Sequence, residues 1–353
     1  MTIKKYELRE VQDILPLQAE WARLEKGPDM TVFQTHEWHR LLLREWHGWR
    51  LHALYSRVIL YMAYENDAPV MLFPAIIYKF STKTKWFGQP KGVYLLGQGS
   101  YSDYMSVIFD RFSPAAFEAI EAEIRRDFPG YPIVLSSLRP DNPLAGYLTR
   151  RQVKKEECGV SLTIPRQESA EQYTMSLDRK IRENLRRSLK RMEKDEITYE
   201  LSVTGPIRDQ ALLSRLVDLH VRRILIKNTK HEGLLHVASS HIRKLYRKHR
   251  DLHNNIVAMS MSENPASVVI VIRLNGQPVG YEYGLRDGGA VRMLQTCFDD
   301  GYKKYSPGFR ALYDFVLRCY EDESIREIDL LRGDEHYKYE LGGQEIKLYE
   351  FTL

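Results

Sequence analysis

The chain has 353 residues, more than the ~100–200 of a typical domain, so two domains are expected. With 43% hydrophobic and 28% charged residues it is not a disordered protein, and a formal net charge of +5 is too small to mark a nucleic-acid binder by itself. Cys158, Cys297 and Cys319 are far apart and form no C-x-x-C pair for metal or redox work, so they read as buried thiols.

No uncharged run approaches the ~18 residues of a membrane span, and the start Met-Thr-Ile-Lys-Lys-Tyr leads into no apolar signal core. A cytoplasmic location is expected. In chain order, the pattern predicts a helix over Val11–Leu24 and another from Glu37 to Trp46 capped by Thr35. Strands Val58–Tyr64 and Pro69–Tyr78 flank the turn Glu65-Asn66-Asp67 as a hairpin. Strands at Val93–Leu96 and Tyr104–Phe109 enclose a glycine-bearing loop, Gly97 to Asp103, that could form a pocket wall. Phe112-Ser113-Pro114 starts a helix to about Phe128, and Ile133–Leu138 is the next strand.

Over 178–194, Ile181, Leu185, Leu189 and Met192 draw a narrow helical stripe. The rest of that helix is basic: Arg179, Lys180, Arg182, Arg186, Arg187, Lys190, Arg191 and Lys194 face only Glu183 and Glu193. Such a face is either a solvated linker or an anion site. Helices at Ile207–Ile226 and Ser239–Arg250 follow, joined by the polar loop Lys227–Gly233. Strands Val268–Leu274, Val279–Leu285 and Ala290–Cys297 then lead to the stretch on which the chemistry is expected, Asp299–Lys338.

There Ser306 reads as a helix N-cap with Pro307 at the first helical position. Phe309, Leu312, Tyr313, Val316 and Tyr320 give the helix an apolar face. A strand at Ile325–Leu331 runs into Asp329, Arg332, Gly333, Glu335, Tyr337 and Lys338, a cluster of ionisable groups where an α/β strand meets a ligand crevice. Taken alone, Asp329-x-x-Arg332 also reads as a structural ion pair, Tyr305 and Tyr337 as packing, and Lys338 as surface. Tyr305-Ser306-Pro307 lies 193 residues after Phe112-Ser113-Pro114, with a strand before and after each, so two copies of one α/β unit are inferred. The charged cluster follows the second copy only, which makes that copy the candidate catalytic one.

Lys180-x-Arg182-x-Asn184-x-Arg186-Arg187, Tyr305-Ser306-Pro307-Gly308 and Asp329-x-x-Arg332-Gly333-x-Glu335-x-Tyr337-Lys338, with Phe33-x-Thr35-x-Glu37-Trp38 and Ser102-Asp103-Tyr104, resemble the CelD-like branch of the GNAT-fold acetyltransferases. The branch is similar to the FemAB-like proteins, which carry two GNAT-like units in tandem. The resemblance implies an α/β (α+β) fold of two tandem units, each a mixed, mostly antiparallel sheet flanked by helices. The units are placed at 1–155 and 156–353, the second including the basic helix.

The resemblance also implies transfer of an acyl group from acetyl-CoA, a co-substrate and not a permanently bound cofactor, to an amine on a sugar, peptide or small molecule. Exopolysaccharide or cell-envelope metabolism is the setting it points to. The donor pyrophosphate would lie at a helix N-terminus, which assigns donor binding to Tyr305, Ser306, Gly308, Phe309, Arg310, Arg332 and Lys338. Asp329 and Glu335 become base candidates and Tyr337 the acid. Trp38, Asp103, Tyr104, Arg182 and Arg186 become acceptor contacts, in a cleft between the units.

Phe298–Arg310 lacks the Gln/Arg-x-x-Gly-x-Gly/Ala run that GNAT enzymes usually show. An aminoacyl-tRNA donor, with nucleic acid as partner, and a non-catalytic binding subunit therefore stay open beside acyl-CoA. No metal is expected: His36 and His39 flank Trp38 on a helix, and His231 with His236 lacks a third ligand. There is no Gly-x-Ser-x-Gly elbow or P-loop.

Overall fold

The computed structural model describes residues 1–48, 52–80, 90–99, 102–229 and 255–353. The helix expected at Ser239–Arg250 and most of the loop before it lie outside these residues, as do His231 and His236. Twelve strands are described: β1 Thr2–Glu7, β2 Ser56–Glu65, β3 Ala68–Tyr78, β4 Gly92–Leu95, β5 Ile133–Leu138, β6 Lys154–Pro165, β7 Tyr199–Thr204, β8 Ser267–Leu274, β9 Gln277–Asp287, β10 Ala290–Phe298, β11 Glu327–Arg332 and β12 Gln344–Thr352. The chain divides into two compact units, Met1–Val160 with Ile346–Leu353, and Ser161–Glu345.

Each unit repeats one topology. In the first, strands run β1-β2-β3-β4-β5-β12, antiparallel except for the parallel pair β4/β5. In the second they run β7-β8-β9-β10-β11-β6, antiparallel except for β10/β11. The last strand of the chain therefore completes the first unit, and β6, which follows the first unit in sequence, completes the second. A parallel neighbour needs a crossover connection, and in both units a helix supplies it: Pro114–Asp127 between β4 and β5, Pro307–Arg318 between β10 and β11.

The repeat extends to backbone strain. Ser137 (φ 60°) and Leu331 (φ 56°) occupy the fifth of six positions in β5 and β11. Left-handed φ is uncommon for residues with a Cβ. Each lies where the register against the sixth strand shifts, between Leu135 and Leu138 and between Asp329 and Arg332.

Local structure follows the sequence with identifiable exceptions. Asn66 (φ 49°) and Asp67 (φ 60°) make the two-residue turn of the β2/β3 hairpin, with the left-handed pair that favours Asn and Asp. The helix expected over Val11–Leu24 is split, with a 3₁₀ segment at Val11–Leu17 and an α-helix at Gln18–Leu24. Pro16 lies inside the first piece and has no N–H for an α-helical ladder. Tyr104–Phe109 is not a strand: Tyr104 has φ 56°, and a single bridge joins Ile108 to Leu72.

In the second unit, Ala290, Val291 and Arg292 pair with Glu327, Ile328 and Asp329. Past that point the register of β10 against β9 shifts between Met293 and Gln295, and β10 runs on to Phe298. The parallel pairing thus ends at mid-strand, short of the C-terminal ends where ligands bind in open α/β sheets.

Candidate functional site

The site is built where β10 hands over to the helix Pro307–Arg318. Asp299 opens the connection, its Oδ1 accepting from the Gly301 amide at 2.9 Å, and a 3₁₀ turn runs over Asp300–Tyr305. Ser306 then adopts the left-handed conformation (φ 50°, ψ 49°), and its hydroxyl makes no capping bond. This differs from the equivalent helix of the first unit, where Ser113 is extended and its Oγ accepts from the Ala116 amide at 3.3 Å. The first free amides of Pro307–Arg318 therefore lack the side-chain acceptor that Ser113 provides, and a helix N-terminus in this state favours an anion.

Two cavities share Ser306 and Phe309 in their walls. The first, about 390 Å³, has an excess of cations: Arg187 and Arg191 of the helix Arg179–Lys194 line it with Arg310, Asn184 and Ser188, against one carboxylate, Glu340. Arg310 is oriented by Asp314, with two contacts of 2.7 Å. The second, about 300 Å³, is lined by Arg223, Glu282, Thr296, Phe298, Gly308 and Tyr337 among others.

Glu282, on β9, is only 3% exposed. Its Oε1 accepts from Thr296 Oγ1 at 2.7 Å, across the β9/β10 register. Burial pushes its carboxyl up to about 8, with the Thr296 hydroxyl and the Arg223 charge pulling the other way. A Cβ placed on Gly308 would lie 3.0 Å from the Phe298 ring and 3.3 Å from Glu282 Oε1. Glycine therefore lets the helix start sit against this wall, at a position that the resemblance had assigned to donor binding. Burial also raises the Tyr337 phenol, which keeps its proton in the neutral range.

Ser306, Gly308, Phe309, Arg310 and Tyr337 are thus gathered around the two cavities, and other expected site residues are engaged elsewhere. Asp329 is fully buried. Its Oδ2 lies 2.5 Å from Arg292 Nη1, and its Oδ1 accepts from the Leu331 amide at 2.8 Å. It is an ion-paired strand residue and not a base poised at a cavity. Lys338, expected to hold the donor, is 3% exposed, and its ammonium donates to the carbonyls of Leu331, Arg332 and Gly333 at 2.9–3.3 Å. It ties down the end of β11. Glu335 is exposed and paired with Lys338 at 2.9 Å; neither it nor Arg332 lines a cavity described here.

Tyr305 is a core residue, packed with Met192, Ile272, Leu274, Val279 and Ala311, and its hydroxyl donates to Asp195 at 2.7 Å. On the basic helix, the cavity takes Asn184, Arg187, Ser188 and Arg191, an i, i+3, i+4, i+7 stripe. Arg182 and Arg186 fall off that stripe; Arg182 Nη1 donates to the Met175 carbonyl at 3.1 Å. In the first unit, Trp38 is fully buried with Nε1 donating to Ser102 Oγ at 2.8 Å, so it is core and not an acceptor contact. Asp103 and Tyr104 are also buried, and the Tyr104 carbonyl accepts from Gln34 Nε2 at 2.9 Å.

Glu282, Arg223 and Thr296 were not found by sequence reasoning. The available signal was a single acidic residue inside the strand Val-Gly-Tyr-Glu-Tyr-Gly-Leu, where the flanking residues demand burial. Of the three cysteines expected to be buried, Cys158 on β6 is exposed; burial raises the thiols of Cys297 and Cys319 to about 12, which makes these two poor nucleophiles. Among the described residues no three His, Cys, Asp or Glu side chains cluster to hold a metal, and no helix is long and apolar enough to cross a membrane.

Residues 179–339 match the family model for the acetyltransferase (GNAT) domain. No curated protein matches the chain. Among solved structures, a conserved protein of unknown function from Bacteroides thetaiotaomicron is 14% identical, with a TM-score of 0.54 over 96% of this chain and 97% of that one. L-PGS from Bacillus licheniformis is 10% identical, with a TM-score of 0.50 over 96% and 89%. FemX is 11% identical, with a TM-score of 0.49 over 99% and 97%. With one α/β topology repeated in both units and the acetyltransferase (GNAT) model matching residues 179–339 within the second, the chain has a tandem GNAT-like fold.

Proposed function

We propose that the second unit is an acyltransferase that moves an acyl group from an acyl-CoA thioester to a primary amine. The observation that carries this reading is the pair of cavities meeting at Ser306 and Phe309, one cationic and one holding the buried carboxyl of Glu282. Arg187, Arg191 and Arg310 would hold the phosphates of the donor, together with the helix N-terminus. The thioester supplies an activated acyl carbon; the amine N–C bond forms, the C–S bond breaks, and the thiol leaves.

Glu282 takes the proton that the amine must lose. With its carboxyl at about 8, it is a stronger base than an ordinary carboxylate and shares its proton near neutral pH. Thr296 fixes the orientation of that carboxyl. Tyr337, lining the same cavity and protonated, is the proton donor available to the departing sulfur. Neither cavity has a cysteine in its wall, which supports direct transfer without a covalent enzyme intermediate.

The test is calorimetric titration of the whole protein with acetyl-CoA and free CoA, repeated with Arg191→Ala, together with CoA release in the presence of amines. Saturable binding weakened by Arg191→Ala is expected. Absence of binding at millimolar ligand would refute the acyl-CoA donor. Binding of charged tRNA with a steep salt dependence would transfer the assignment to an aminoacyl donor.

A further inference from the structure

Arg223 has no role in the chemistry described above, although it lines the Glu282 cavity. It lies on the helix Gln210–Thr229, with its guanidinium carbon 4.0 Å from the centroid of Phe298. Its Nη1 is buried and has no hydrogen-bond partner among the described residues. A buried guanidinium N–H left unpaired is costly, because a charged donor has given up water without replacement. The neighbouring Glu282 carboxyl influences Arg223 through space, yet its Oε1 is held by Thr296. Lys303 adds a second cation to the cavity wall.

A guanidinium pinned on an aromatic face, with one N–H free, is arranged to receive a carboxylate. We infer that the acceptor is a small molecule carrying a carboxylate near its reactive amine, an amino acid or amino-acid-like acid, with the carboxylate held by Arg223 and the amine presented to Glu282. The inference rests on the acyl-transfer reading and narrows its acceptor. The cavity volume of about 300 Å³ is at the small end of the ~300–1,000 Å³ range of small-molecule sites, which suits such an acid better than a polymer. Phe298 and Leu312 supply an apolar wall for its side chain.

The test is ligand-observed NMR on the full chain with a panel of L-amino acids, their methyl esters and the amines lacking the carboxylate, run beside the CoA titration. One or more acids are expected to bind, with the matched ester and amine at least tenfold weaker. Arg223→Met should abolish acid binding and Arg223→Lys should keep part of it. Equal binding of acid and ester by the unmodified protein, no binding of any acid, or unchanged acid binding in Arg223→Met would each overturn the inference. Because the acid–ester comparison needs no variant, a folding defect in Arg223→Met does not decide it. CoA binding without acid binding would reject this acceptor and keep the acyl-CoA reading; acid binding without CoA binding would uphold the carboxylate site and reject the acyl-CoA donor.

Discussion

The two units share strand order, parallel pair, crossover helix and the strained bulge, but differ in what the equivalent positions hold. Aligning β4/β5 with β10/β11 by their parallel register matches Val93 with Ala290 and Ile133 with Glu327. Leu95 then corresponds to Arg292 and Leu135 to Asp329, while continuing along β3 and β9 matches Leu72 to Glu282. All three leucines are fully buried. The first unit fills with hydrocarbon the positions at which the second buries ionisable groups. Ser113 closes the first unit's helix start, whereas Ser306 leaves the second's open. One backbone plan thus supports a hydrophobic copy and a polar one, and at these three positions the polar copy alone has groups that can move a proton or hold a charge.

Converting the polar copy toward the hydrophobic one should have its largest effect at Glu282. Glu282→Leu, the residue of the first unit, is expected to lower the rate of CoA release by roughly 10²–10⁴-fold, the range of a lost general base. Glu282→Gln should do nearly the same while leaving CoA affinity unchanged by calorimetry. Full activity in both variants would show that the polar cavity has no part in proton transfer.

The Arg292–Asp329 pair offers a stability version of the same comparison. Asp329→Leu alone removes one of the two carboxylates on Arg292, which keeps Asp287 at 2.7 Å, and should cost ~1.5–3 kcal/mol. The double replacement by leucine, which recreates Leu95 and Leu135, should recover most of that loss. Urea unfolding of the two singles and the double measures the coupling. Additive losses would mean that the ion pair is not the unit that matters there.

Glu282 also makes stability depend on pH with a definite sign. Its folded value of about 8 lies above the ordinary 4.5, so the native state holds the proton more tightly than the unfolded chain. Its contribution is full below about 4.5 and is lost as pH rises toward 8. The unfolding free energy of Glu282→Gln, and with it the denaturation midpoint, should therefore rise relative to the unmodified protein across that window, by on the order of a few kcal/mol at its upper end. In the same window the transfer rate should increase as the carboxyl ionises. A midpoint difference that does not change with pH would place the carboxyl in water.

Much of the fold was legible because its signals are local. The Asn66-Asp67 turn, the Ser113-Pro114 and Ser306-Pro307 helix starts and the alternating apolar strands each announce themselves within a few residues. The exchange of sixth strands was not legible. The first third of β6, Lys-Lys-Glu-Glu, is exposed and has no apolar alternation, and β12 finds its partner β5 more than 200 residues earlier in the sequence. At the candidate site, the helix start was readable as a helix start, but the side chains converging on it come from β9, β10 and the helix Gln210–Thr229. Sequence proximity instead favoured Asp329, Glu335 and Lys338, whose charges are consumed by Arg292, by one another and by backbone carbonyls.

The smallest expected effect separates the two faces of the basic helix. Arg187 and Arg191 share the cavity stripe with Asn184 and Ser188, whereas Arg182 and Arg186 are displaced from it by the helical period. Arg187→Ala and Arg191→Ala should each weaken CoA binding by up to about tenfold, ~1.4 kcal/mol, and the loss should shrink at high salt because these arginines are exposed. Arg182→Ala and Arg186→Ala should change CoA affinity by less than about twofold. If all four variants lose affinity equally, the helix acts as a diffuse positive field on its ligand; a difference between the pairs ties the anion to one wall of one cavity, beside the helix start that the first unit keeps closed.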